Sequence, residues 1–395
     1  MTEDRPNIVG GGPDFHLAGS ILTVDLSALK ENYHTLAELS APARTAAVVK
    51  ADAYGLGAAE IVPALAEAGC TRFFVALPHE GVAVRQVAPE ADIFVFSGPL
   101  SIEAGPVFRA HRLIPVLNSL RDVAIWEAEG WEGNLQLPAA LHVDTGMNRL
   151  GLTQAEAARF VQDNALTRAV RIVLLMSHLA CADEPEHPLN RHQLESFQKL
   201  AALFPGIESS LANSAGILLG GGFLRDLTRP GIALYGGAPS PANPMRPVVT
   251  AAARVLQVRS ARAGETVGYG AAMWLRRDTL IAVAAAGYAD GYHRAGSGDG
   301  VPLRKAELQG AAGFIAGQRV PVLGRISMDL TAFDVTDLGA DAVSAGDTIE
   351  LFGPNIPLDE AARAAGTIGY ELLTSLGWRY HRQYVAGESA TPARP

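Results

Sequence analysis

The chain has 395 residues, 48% of them hydrophobic and 18% charged, with a net charge of −9. That length and composition allow one barrel plus an added domain, and the acidic balance argues against nucleic acid or an anionic membrane as partner. Only Cys70 and Cys181 are present, so no disulfide framework is expected. The start of the chain is polar and acidic where a signal peptide would be basic and then apolar. No segment has the uninterrupted apolar length of a membrane span, and the expected location is the cytoplasm.

In chain order, an N-terminal extension (1–20) precedes a helix pattern with Leu26, Leu29, Tyr33, Leu36 and Leu39 at helical spacing. Strand-like apolar runs follow at 46–49, 73–76, 93–96, 113–116, 139–143, 172–176, 209–212 and 227–234. Most alternate with Ala- and Leu-rich helical patterns such as 58–68, 154–164 and 190–203. This rhythm over 21–240 predicts an α/β fold, a TIM-type (β/α)8 barrel with its functional residues at the strand carboxyl ends. The Gly/Pro-dense stretch 236–244 marks a boundary. Beyond it, strand-like runs at 254–259, 279–284, 320–323, 330–335 and 348–351 lack intervening long helices, and helical patterns return at 358–365 and 370–376. Residues 241–395 therefore read as a mainly β C-terminal domain.

Polar groups gather where the barrel puts its strand ends. Lys50 closes the first run, His142 lies in the fifth with Asp144, Asn148 and Arg149 behind it, and His178 ends the sixth. Asn213 and Ser214 end the seventh; Arg229 and Gly231 lie at the eighth. Lys50 is the most informative of these. A lysine against an apolar wall has its pKa lowered and presents the neutral amine that condenses with an aldehyde. The plain alternative is a stem packed on the strand with its head in water. Four of the others also have a structural reading: Ser214 as an ordinary N-cap, His178 as a core histidine, Arg149 as the ion-pair partner of Asp144, and Arg229 as a surface residue before a Pro-Gly turn. The acidic loop Asp183, Glu184, Glu186, His187 has no recognisable metal-ligand spacing, and no metal is expected.

Val49-Lys50-Ala51-Asp52-Ala53-Tyr54-Gly55 resembles the pyridoxal-phosphate lysine segment of alanine racemases. Segments 142–152, 177–178, 213–216, 229–232, 268–270, 287–292, 324–329 and 370–371 match the same family in order, over nearly the whole chain. The resemblance implies that Lys50 carries pyridoxal phosphate and faces the α-proton of D-alanine, while Tyr269 of a second subunit faces the L side. The implied homodimer then shares its active sites. It assigns the phosphate to Tyr54, Asn213, Ser214, Gly231, Ile232 and Tyr370, the cofactor ring to His178 and Arg229, the substrate carboxylate to Arg149 and Met328, and a narrow entrance to Tyr288 and Tyr370. The role the resemblance implies is building D-alanine for peptidoglycan or breaking it down.

The match has departures. His142 stands where many members carry a carbamylated lysine beside the arginine equivalent to Arg149. Leu56 replaces a frequent His, Ser327 a frequent Cys, and 377–382 lacks the usual Arg-Val-Pro-Arg pattern. The competing readings are a broader alanine/serine racemase, a decarboxylase of basic amino acids and a non-catalytic cofactor carrier. The second domain with Tyr269, Met328 and Asp329 is what separates the chain from a carrier.

Overall fold

Short β-branched and aromatic runs that are buried on both faces suit a parallel barrel, and that is what they form. The computed structural model describes residues 12–162, 169–238, 243–298 and 310–386. Its barrel strands are Arg44–Thr45 continued by Ala47–Val48, then Arg72–Val75, Asp92–Val95, Leu113–Leu117, Leu137–His142, Val170–Met176, Ser209–Ser210 and Leu227–Thr228. All but the last form one parallel ladder in chain order. Leu227–Thr228 pairs with Arg44–Thr45. On its other side the Asp226 and Arg229 amides donate to the Ser209 and Ala212 carbonyls at 3.0 and 2.9 Å, which closes the ring.

The eighth run is shorter than its apolar length predicts. Pro230 has no N–H to give the ladder, and from Gly231 the chain passes into the one-turn helix Ile232–Tyr235. The helices Ala58–Glu67 and Pro188–Ala201 stand within two residues of the predicted 58–68 and 190–203. Helix Gln154–Gln162 covers the described part of 154–164.

The C-terminal domain is a mixed, mainly antiparallel sheet with strand order Thr279–Ala284, Thr331–Asp334, Gln318–Leu323, Ala312–Ile315, Thr348–Phe352, Val249–Ala261, Ser20–Asp25, Tyr380–Val385, the last pair being parallel. Val249–Ala261 also pairs with Thr279–Ala284, so most of this sheet curls back on itself. One expectation needs correcting here. The expected barrel, 21–240, takes in residues 21–25, yet Ser20–Asp25 lies between Val249–Ala261 and Tyr380–Val385 in the second sheet. Asp25 then caps the first barrel helix, accepting from the Ser27 and Ala28 amides at 2.9 Å.

Both domains share one contiguous apolar core. The last strand and the helix Gly369–Thr374 dock on the mouth of the barrel. Arg382 donates to the Gly55 carbonyl at 2.6 Å and the Tyr384 hydroxyl to the Leu56 carbonyl at 2.7 Å. A Cβ at Gly55 would come within 2.7 Å of the Leu373 carbonyl, so close docking needs glycine there.

Candidate active site

Directly after the first strand, the chain does something its sequence does not announce. Ala51, Asp52, Ala53 and Tyr54 all adopt left-handed helical angles, with φ between 52° and 58°. Left-handed turns cost L-residues roughly 1–2 kcal/mol each, so outside anchors must hold the segment. Glu80 is the main one. Its Oε1 accepts from the Ala51 amide at 2.8 Å, and its Oε2 accepts from Ala76 and Leu77 at 2.7 and 3.0 Å. The Asp52 carboxylate accepts from Ala58 at 2.7 Å, tying the far end of the turn to the next helix. Lys50 heads this strained segment, with its ammonium 6.0 Å from the centroid of Phe96. Burial lowers its pKa, and the nearby Arg149 cation adds to the effect while Glu80 opposes it.

Within the barrel, cationic and potentially cationic groups act on one another. Arg229 is buried. It donates to the Ser210 hydroxyl, and through Nη2 to the carbonyls of Ser177 and Leu211 at 2.6 and 3.5 Å. Its Nε makes no hydrogen bond to a described residue. Desolvation pushes Arg229 down to about 9, which still leaves it charged at neutrality. Burial, then Arg229 and Arg149, hold His178 well below the ordinary histidine value and His142 down to about 4. Both imidazoles are therefore neutral. Gln193, fully buried, braces His178: its Nε2 donates to the His178 carbonyl at 2.9 Å and Thr145 Oγ1 at 3.2 Å, and its Oε1 accepts from Ala180 at 2.9 Å.

The groups expected to hold a phosphate do converge. Asn213, not Ser214, caps the short helix Ser214–Leu219, accepting from Gly216 at 2.9 Å. The N-cap alternative for Ser214 is thereby corrected: its hydroxyl instead accepts from the amides of Gly231 and Ala233 at 2.9 and 3.3 Å. Tyr54 packs between Tyr235 and Tyr370, at centroid separations of 4.8 and 6.0 Å. A Cβ on Gly231 would sit 2.2 Å from the Tyr54 hydroxyl, so this wall of the site is bare backbone. Desolvation raises the Tyr54 phenol and pushes Tyr370 up to about 12, keeping both protonated as donors. Lys50, Ala51, Tyr54, Tyr370 and Glu371 line a cavity of ≈ 460 Å³ between the barrel mouth and helix Gly369–Thr374.

Other expected residues do not meet in one subunit. Tyr269 is 71% exposed on the tip joining Thr266–Val267 and Met273–Trp274, and does not line the Lys50 cavity. Met328 and Tyr288 are also exposed, and the Tyr288 amide donates to the Ser327 carbonyl at 3.0 Å. Arg149 forms no hydrogen bond or ion pair with a described residue. The Asp144 partner expected under the structural reading is already occupied, with its Oδ1 accepting from Gly146, Met147 and Asn148 at 3.0–3.2 Å. In the departing segment 377–382, Arg379 pairs with buried Asp290 at 3.1 Å and with Asp329 at 2.8 Å. Sequence reasoning missed Glu80, Asn118 and Gln193. Only Glu80 left a signal, in Pro78 and Glu80 at the start of helix Pro78–Val87.

A desolvated amine at a barrel mouth, with a backbone cradle, three hydroxyls and a buried arginine in the same barrel, defines a lysine-dependent barrel enzyme whose cofactor is anionic. Residues 24–239 match the family described as "Alanine racemase, N-terminal domain" and residues 248–384 "Alanine racemase, C-terminal domain". The chain is 54% identical to the biosynthetic alanine racemase of Agrobacterium fabrum, covering 95% of this chain and 96% of that protein. It is 44% identical to the catabolic alanine racemase of the same organism, over 98% and 95%. Among solved structures it is similar to alanine racemase from Bartonella henselae with covalently bound pyridoxal phosphate, with a TM-score of 0.86 and 39% identity over 93% of this chain and 100% of that one. The chain belongs to the alanine racemase family.

Proposed function

We propose that the chain interconverts L- and D-alanine with pyridoxal phosphate held on Lys50. The observation that carries this reading is the Lys50 amine, desolvated at a cavity that Tyr54 and Tyr370 also line, with Gly231 against the Tyr54 hydroxyl and bonded to Ser214. The residues present fit the cofactor. Ser214, Gly231, Ile232, Asn213, Tyr54 and Tyr370 would hold its phosphate, Arg229 Nε its ring nitrogen, and His178 its ring face. When bound, the cofactor supplies an electron sink that acidifies the α-proton. Arg229 cannot give up its proton at neutral pH, so it keeps that sink weak and limits leakage into other reactions. Lys50 moves a proton on one face of the substrate carbon and Tyr269 on the other, as inversion requires. Arg149, with the Met328 amide, receives the substrate carboxylate, and Tyr288 with Tyr370 narrows the entrance.

The exposed Tyr269 belongs, in this reading, to the site of a second copy. Trp274, Tyr288, Met328 and Trp378 of the same domain are exposed as well, which supports a homodimer that covers them. The higher identity to the biosynthetic than to the catabolic relative supports D-alanine supply for peptidoglycan. No helix among the described residues is long and apolar enough to cross a membrane, and the cytoplasm is the proposed location. Incubating the purified protein and pyridoxal phosphate with L-alanine, L-serine and L-lysine separately tests the reading. Chiral analysis is expected to show D-alanine as the main product; cadaverine, D-serine in excess, or no turnover would overturn it.

The cradle makes a second, local prediction. Gly231→Ala places a methyl 2.2 Å from the Tyr54 hydroxyl, and overpacking of this kind costs about 1–3 kcal/mol. The expected result is roughly 5- to 150-fold weaker cofactor binding, read by titrating the apoprotein with pyridoxal phosphate and following absorbance.

A further inference from the structure

The fifth strand ends in a buried histidine whose protonation the surrounding bonds determine. His142 Nδ1 lies 2.8 Å from Asn118 Oδ1. The Asn118 Nδ2 donates to the carbonyls of Phe96 and Val116, both at 2.9 Å, so the end of the amide facing His142 is the acceptor oxygen. Nδ1 must therefore carry the proton and Nε2 the lone pair. Nε2 accepts from no described residue and is not sealed from solvent.

Two guanidiniums act on this ring, those of Arg229 and Arg149. Arg229 is committed to Ser210, Ser177 and Leu211. Arg149 has no such commitment, and it sits on a loop whose ends meet at His142 itself. The Leu152 amide donates to the His142 carbonyl at 2.8 Å, and the Asp144 amide to the Leu152 carbonyl at 2.9 Å. The loop's own carboxylate, Asp144, is held by backbone amides.

We propose that His142 is a positioning residue for Arg149, receiving a guanidinium N–H at Nε2 in the neutral tautomer that Asn118 imposes. A neutral acceptor orients the guanidinium without cancelling its charge, so the full cation remains for a carboxylate. This inference rests on the reading of Arg149 as the ligand of the substrate carboxylate.

The test is nitrogen NMR of the holoenzyme labelled with 15N-histidine, with His142→Gln used to assign the ring. The expected spectrum shows a protonated Nδ1 and a bare Nε2 that do not titrate between about pH 6 and 9. Arg149→Ala, at an exposed loop position, is expected to move the Nε2 resonance towards that of an unbonded lone pair while Nδ1 stays in place. Asn118→Leu is expected to admit the other tautomer and to raise KM for alanine ~10-fold, with a smaller change in kcat. An unmoved Nε2 in Arg149→Ala, or a wild-type ring protonated at Nε2, overturns the proposal. The resonances are read without turnover, so a protein that failed to racemise alanine would sink the functional reading and leave this result standing.

Discussion

Lys50→Ala is expected to lower alanine racemisation by about four orders of magnitude or more, in both directions. The variant loses at once the amine that carries the cofactor and one of the two proton-transfer groups, and proton transfer by a positioned side chain alone is worth about 10²–10⁴. Fold loss is not the expected cause. The left-handed stretch begins at Ala51, and the Glu80 anchor grips backbone amides that alanine at 50 leaves in place. Borohydride treatment followed by peptide mass analysis separates the two roles: wild type is expected to carry the reduced cofactor on the Lys50 peptide, and the variant none. Circular dichroism should be unchanged. Near-normal racemisation by the variant, or cofactor fixed at another lysine, would remove the foundation of the assignment.

The barrel was legible because each of its strands is a short apolar run bounded by turn residues, and because closure brings distant strand ends together without any further information. That is why Lys50, His142, His178, Ser214 and Arg229 could be grouped from spacing alone, although their roles came from family resemblance. Ser20–Asp25 was lost to the barrel because its partners, Val249–Ala261 and Tyr380–Val385, lie far along the chain; nothing local distinguishes a strand of one domain from a strand of the next. The left-handed turn was illegible for a different reason. No glycine marks Ala51 to Tyr54, and the strain is sustained by Glu80, Arg382 and Tyr384 from other elements. Asn118 and Gln193 were missed likewise, since a buried amide acquires its meaning only from the groups it joins in space.

Mixing two inactive variants tests the proposed assembly most sharply. Tyr269→Phe removes only a phenolic oxygen from an exposed tip, so folding should survive while turnover falls by about 10²–10⁴. If each site takes Lys50 from one subunit and Tyr269 from the other, a hybrid of Lys50→Ala with Tyr269→Phe concentrates both defects in one site and leaves the second intact. Random reassortment of equal amounts puts half of the subunits in hybrids, so about a quarter of wild-type activity is expected to return from two nearly dead preparations. Sites contained within one subunit give the opposite result, because every hybrid site then carries a defect and mixing restores nothing. The exposure of Tyr269 and its absence from the Lys50 cavity favour the first outcome. A mixture that stayed inactive after verified subunit exchange would move the second base to a residue of the same chain.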